Sequence, residues 1–65
     1  MEDIRLTLAA VRVNCKKTQQ EWAKMLNVSV ATVGNWENGK TEPPRKKLNK
    51  MAEISGIPVS LFLLP

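Results

Sequence analysis

Between Thr18 and Gly39 the sequence carries two complete sets of helix punctuation, and the helices they bracket are only three residues apart. Thr18-Gln-Gln-Glu21 has the spacing of a capping box. The Thr hydroxyl can accept from the Glu21 N–H while the carboxylate reaches back to the Thr18 N–H. This predicts a helix over about 19–26, with Trp22, Ala23 and Leu26 inward, Met25 flanking and Asn27 as a left-handed stop. Ser29 is a favoured N-cap. It predicts another helix over about 30–37, closed by Asn38 and by Gly39 at the position where a helix turns left-handed. Val33 and Trp36, three apart, share its inward side. A turn of three residues, Asn27 to Ser29, suits two helices that cross steeply.

The flanks read as further short helices. Ile4, Leu8, Val11 and Cys15 recur at i, i+4, i+7 and i+11, one helix face, with Leu6 and Val13 at its edge. That run stops at Lys16-Lys17, two cations suited to a helix C-terminus. Pro43-Pro44 can open a helix but cannot lie inside one. A fourth helix then turns Leu48, Met51 and Ala52 inward, with Ile54 and Ser55, and Gly56 ends it. Pro58 opens a last short helix over 59–64. The expectation is an all-α fold of five short helices around one core, a single domain over residues 1–65. A chain of 65 residues buries only about 60% of its unfolded surface, so nearly every apolar residue is needed for that core.

Composition narrows the function. Ten Lys and Arg against six Asp and Glu leave a net charge of +4, a bias toward polyanionic partners. There is no His, so imidazole acid/base chemistry and imidazole metal ligation are out of reach. Cys15 is alone, which rules out an intrachain disulfide and a cysteine metal cluster, and reads as small apolar filler. Three glycines do not build a phosphate-cradling loop. No apolar run approaches the ~20 residues of a membrane span, and Met1-Glu2-Asp3 is acidic rather than signal-like. The expectation is a reduced, cytoplasmic domain that binds a partner, without catalysis, metal or cofactor.

The ordered set from Arg12 through Thr18-Gln19 and Ala23, then Val28-Ser29, Val33, Trp36-Glu37-Asn38-Gly39 and Pro43, resembles the phage repressor and Cro helix-turn-helix family. Its members are also called xenobiotic-response-element-type regulators. The resemblance covers Ile4 to about Leu63. It implies a lambda-repressor-like DNA-binding domain in which helices 2 and 3, about residues 18–37, form the helix-turn-helix. In such a unit the second helix of the pair lies in the major groove and the first crosses the backbone.

On that reading Val30, Ala31, Thr32, Gly34 and Asn35 face the bases. Asn35 can pair with adenine through two hydrogen bonds, while Val30, Ala31 and the Thr32 methyl can pack on thymine methyls. The small side chains let the helix sit deep. Gln19, Ser29, Asn38, Lys40 and Arg45 are the expected phosphate contacts, Ser29 also capping the third helix. Lys16, Lys17, Lys46, Lys47 and Lys50 are expected to be solvated and to supply field rather than contacts. The family places an ion pair at Arg12 and Glu37, which implies a structural role. Trp22 and Trp36 are read as core rather than as base-stacking rings. The sequence departs from the family pattern at Lys17, Trp22, Asn49 and Ser55, which bears on the packing that sets the tilt of the third helix.

One such domain reads half a site, and dimers read two half-sites roughly 34 Å apart. Of the apolar C-terminus, Ile57, Val59, Phe62 and Leu63 are assigned to the core. Leu61 and Leu64 are left as homodimer contacts, formed before or only upon DNA binding. The expected function is a sequence-specific DNA-binding transcriptional regulator, a phage or bacterial repressor acting by operator occupancy in the bacterial or phage-infected cell. The chain reads either as a minimal Cro-like protein or as the DNA-binding piece of a longer repressor. Two other readings use the same fold. One is an antitoxin that binds both its operator and a toxin. The other is a protein-interaction domain that has lost DNA.

Overall fold

The computed structural model describes residues 5–64. In chain order it holds β1 (Leu6–Thr7), α1 (Leu8–Asn14), α2 (Gln19–Leu26), α3 (Val30–Glu37), α4 (Arg45–Ser55), one 3-10 turn (Val59–Leu61) and β2 (Phe62–Leu63). The second, third and fourth helices lie where their caps put them. The two ends of the chain differ from expectation.

At the N-terminus α1 starts at Leu8, because the Thr7 hydroxyl accepts from the Ala10 N–H at 3.1 Å and caps it. Leu6 and Thr7 are extended. Ile4, assigned above to the face of this helix, lies outside the described residues. At the C-terminus the described residues form no fifth α-helix. Val59–Leu61 makes a single 3-10 turn, and Phe62 and Leu63 run as a strand parallel to Leu6 and Thr7, in the register Leu6↔Phe62 and Thr7↔Leu63. A helix of about six residues has too few hydrogen bonds to offset its nucleation cost. Pairing with β1 satisfies the same backbone groups and turns Phe62 into the core. Pleating then sends Leu63 the other way. Leu63, assigned above to the core, is 47% exposed.

The core joins Leu8 and Val11 of α1 with Trp22, Ala23 and Leu26 of α2, Val33 and Trp36 of α3, Leu48 and Met51 of α4, and Phe62. Ile57 and Val59 pack against its margin. Trp22 is 1% exposed. Truncating a buried indole to Ala costs about 3–5 kcal/mol. Both tryptophans therefore belong to the packing that sets the angle between α2 and α3.

The first three helices stop in the same way. Each has a residue at positive φ just past its end: Lys16 (58°), Asn27 (58°) and Gly39 (76°). Each is closed by two backbone hydrogen bonds. For α3 these run from the Lys40 N–H to the Asn35 carbonyl at 2.9 Å and from the Gly39 N–H to the Trp36 carbonyl at 3.3 Å. The left-handed turn at Lys16, more than the charge of the lysine pair, ends α1.

Candidate nucleic-acid interface

The capping box at the start of α2 is complete. Thr18 Oγ1 accepts from the Glu21 N–H at 3.1 Å, and a Glu21 carboxylate oxygen accepts from the Thr18 N–H at 2.9 Å. Those hydrogen bonds to the ionised carboxylate, the backbone one first, hold the Glu21 pKa below the usual glutamate value. At the start of α3, Ser29 Oγ accepts from the Thr32 N–H at 3.1 Å and shares a hydrogen bond with Thr32 Oγ1 at 2.8 Å. With α2 closed at Asn27 and α3 capped by Ser29, only three residues lie between the two helices, and they fix the entry of α3 relative to the exit of α2.

Behind α3 lies a polar lock. Arg12 Nε donates to Glu37 Oε2 at 2.8 Å, and Arg12 Nη1 donates to the Lys17 carbonyl at 2.9 Å. Glu37 Oε1 accepts from Gln19 Nε2 at 3.0 Å and, at 3.4 Å, from Arg12 Nη2. The side chains of Arg12 and Glu37 are 16% and 8% exposed. One carboxylate at the end of α3 therefore binds α1 and α2 together. Sequence reasoning sent Gln19 only to phosphate; here one of its amide N–H groups belongs to this lock, and the side chain is half-buried.

The outward side of α3 follows from its buried side. With about 100° between successive residues, Val33 and Trp36 define the inward direction. Ala31 then points almost directly away from the core, with Gly34 and Asn35 to either side and Val30 and Thr32 at the margins. Val30 and Ala31 are exposed, and Thr32, Gly34 and Asn35 are half-exposed. Among the described residues the Asn35 amide has no hydrogen-bond partner, so both its donor and its acceptor are available. Gly34 has ordinary helical backbone, and a Cβ built on it would meet nothing within 4 Å. Glycine inside a helix costs about 1 kcal/mol against Ala. Nothing in the fold requires it.

Exposed cations follow this helix in the chain. Asn38 and Lys40 are exposed just beyond α3, and Arg45 is exposed at the first turn of α4. Among the described residues neither Lys40 nor Arg45 forms an ion pair. Lys50 lies 3.9 Å from Glu53 in an exposed contact. Lys47 departs from the expectation of a solvated side chain. It is half-buried and its ammonium donates to the Leu26 carbonyl at 2.7 Å. The reason is geometric: α4 packs beside the C-terminus of α2, where unpaired carbonyls attract a cation.

Leu61 and Leu64 are exposed, beside exposed Leu63. A shallow open depression between β2 and the end of α3 is lined by Thr7, Leu8, Trp36, Glu37 and Leu63, away from the outward side of α3. Among the described residues no cluster of acidic and Cys side chains has the makings of a metal site, and no helix is long and apolar enough to cross a membrane.

Comparison with known proteins agrees with this geometry. A family model described as helix-turn-helix matches residues 8–62. The chain is 33% identical over 55 residues to multiprotein-bridging factor 1c of Arabidopsis thaliana, an alignment covering 85% of this chain and 37% of that protein. It is 40% identical over 43 residues to the HTH-type transcriptional regulator DicA of Escherichia coli (strain K12), covering 66% of this chain and 32% of DicA. The matched part is thus about a third of each relative. No solved structure gives a significant match. With the family model spanning both caps, the three-residue turn between α2 and α3 and the four helices of the described residues, the chain belongs to the helix-turn-helix family.

Proposed function

We propose that the chain is a sequence-specific DNA-binding transcriptional regulator that lays α3 in the major groove. The observation that carries this is the outward side of α3. It is capped at its start, locked through Glu37 at its end, lined by short side chains, and followed in the chain by exposed Lys40 and Arg45, which form no ion pair among the described residues. Similarity to a transcriptional regulator supports the same reading. Val30, Ala31, Thr32, Gly34 and Asn35 meet the bases. Ser29, Asn38, Lys40 and Arg45 meet phosphates, joined by the remaining amide N–H of Gln19. Regulation is repression by operator occupancy in a bacterial or phage-infected cell, with polymerase excluded from the bound site.

The working unit is a homodimer on two half-sites roughly 34 Å apart, joined through Leu61 and Leu64. Exposed apolar side chains clustered at one end of a small domain support this contact. Selection of bound sites from random duplex DNA tests both claims. An enriched inverted repeat is the expected result. If no duplex is enriched, the DNA reading fails; if only single half-sites emerge, bound by one chain each in sedimentation, the dimer fails.

A second reading has one observation in its favour. The relative aligned over most of this chain is named a multiprotein-bridging factor. On that reading the domain docks a protein, and the apolar end with Leu61, Leu63 and Leu64 is its contact. Only the weak, sequence-independent and salt-sensitive DNA binding of a generic basic protein, with no duplex preferred, would favour it.

A further inference from the structure

We infer that Gly34 is the point of closest approach between α3 and DNA, left without a side chain so that Ala31 and Asn35 reach the base edges. The inference rests on the DNA reading and adds to it a requirement on the protein backbone.

Three observations carry it. First, the fold does not need this glycine: its backbone is ordinary helix and a Cβ would touch nothing within 4 Å. This contrasts with Gly56, whose φ of 74° keeps most other residues out. A residue that weakens its own helix, with no packing or backbone reason to be there, answers to something outside the chain. Second, Gly34 sits beside Ala31 and Asn35 on the side opposite Val33 and Trp36. Any surface that α3 is pressed against meets it. Third, the neighbours that must do the reading are short. Ala31 offers one methyl, and Asn35 carries its amide on a single methylene. Long side chains can bridge a gap to the base edges; these cannot, so the helix axis itself must come close. A side chain projecting at 34 would hold it away.

The test is a size series, Gly34→Ala and Gly34→Leu, measured by thermal unfolding and by affinity for the duplex that the wild-type chain selects. Both variants are expected to fold. The Ala variant should melt about 4–8 °C higher, as removal of a mid-helix glycine in a domain of this size implies. Its affinity for the selected duplex should nevertheless fall roughly tenfold, the scale of one lost base contact. The Leu variant should fall further, while binding of both to unrelated duplex changes little. Wild-type affinity in the more stable Ala variant overturns the inference and leaves the DNA reading standing. So does an equal loss in Ala and Leu, because steric clearance must depend on size. If the wild-type chain selects no duplex, the DNA reading fails first, and the role of Gly34 falls with it.

Discussion

Lys47 Nζ, on α4, donates to the carbonyl oxygen of Leu26, the last residue of α2, at 2.7 Å. The cation meets a helix end that carries partial negative charge. It also ties the scaffold helix to the residue just before the turn that aims α3. A lysine in a basic helix face thus acts as a strut.

Replacing Lys47 by Met keeps the apolar stem and removes the donor. Hydrogen bonds from charged groups are worth about 1.5–3 kcal/mol when buried; half-burial places this one at the lower end. We expect a loss of about 1–2 kcal/mol in urea unfolding with an unchanged slope. Stability equal to wild type would show that the strut contributes nothing net.

The Arg12–Glu37 pair makes a coupled prediction. Glu37→Ala leaves the Arg12 guanidinium without its counter-charge and the Gln19 amide without its acceptor, and should cost about 3 kcal/mol. Adding Arg12→Met should restore part of that loss, because a stranded charge costs more than an absent pair. A double-mutant cycle reads the coupling directly. If the two losses simply add, the lock is not a unit.

Glu21 predicts a pH signature. Its folded pKa is lowered by the Thr18 hydrogen bonds, so its contribution is fully present above the ordinary glutamate value, about 4.3. It is lost as the pH falls through the lowered value. The stability gap between wild type and Glu21→Gln should therefore be constant near neutrality and shrink in acid. A gap that widens on acidification would mean the sign is wrong.

On the selected duplex, Asn35→Ala should relax preference at one base position, since a two-bond amide pair is lost there. Lys40→Ala should weaken all duplexes alike and flatten the log–log salt dependence by about one. If Lys40→Ala instead changes which sequence is preferred, the phosphate assignment is wrong.

Much of this molecule is written locally. A cap forms between residues three apart, so Thr18 with Glu21 and Ser29 with Thr32 can be read from spacing alone, and with them the bounds of α2 and α3. Apolar periodicity likewise identified both tryptophans as core, because burial is a property of a helix face. The outward side of α3 follows from the same arithmetic.

What the sequence could not settle involves partners far apart in the chain. Leu6 pairs with Phe62 because the folded core brings the two ends side by side. Once that edge exists, a strand satisfies more backbone than a six-residue helix would, and Leu63 is turned outward. Gln19 and Glu37 are 18 residues apart, Lys47 and Leu26 are 21 apart, and neither contact has a local signature. Side chains with several possible polar partners take the one that packing presents. The tertiary structure therefore decided which polar groups became structure, and which were left facing outward on and beside α3.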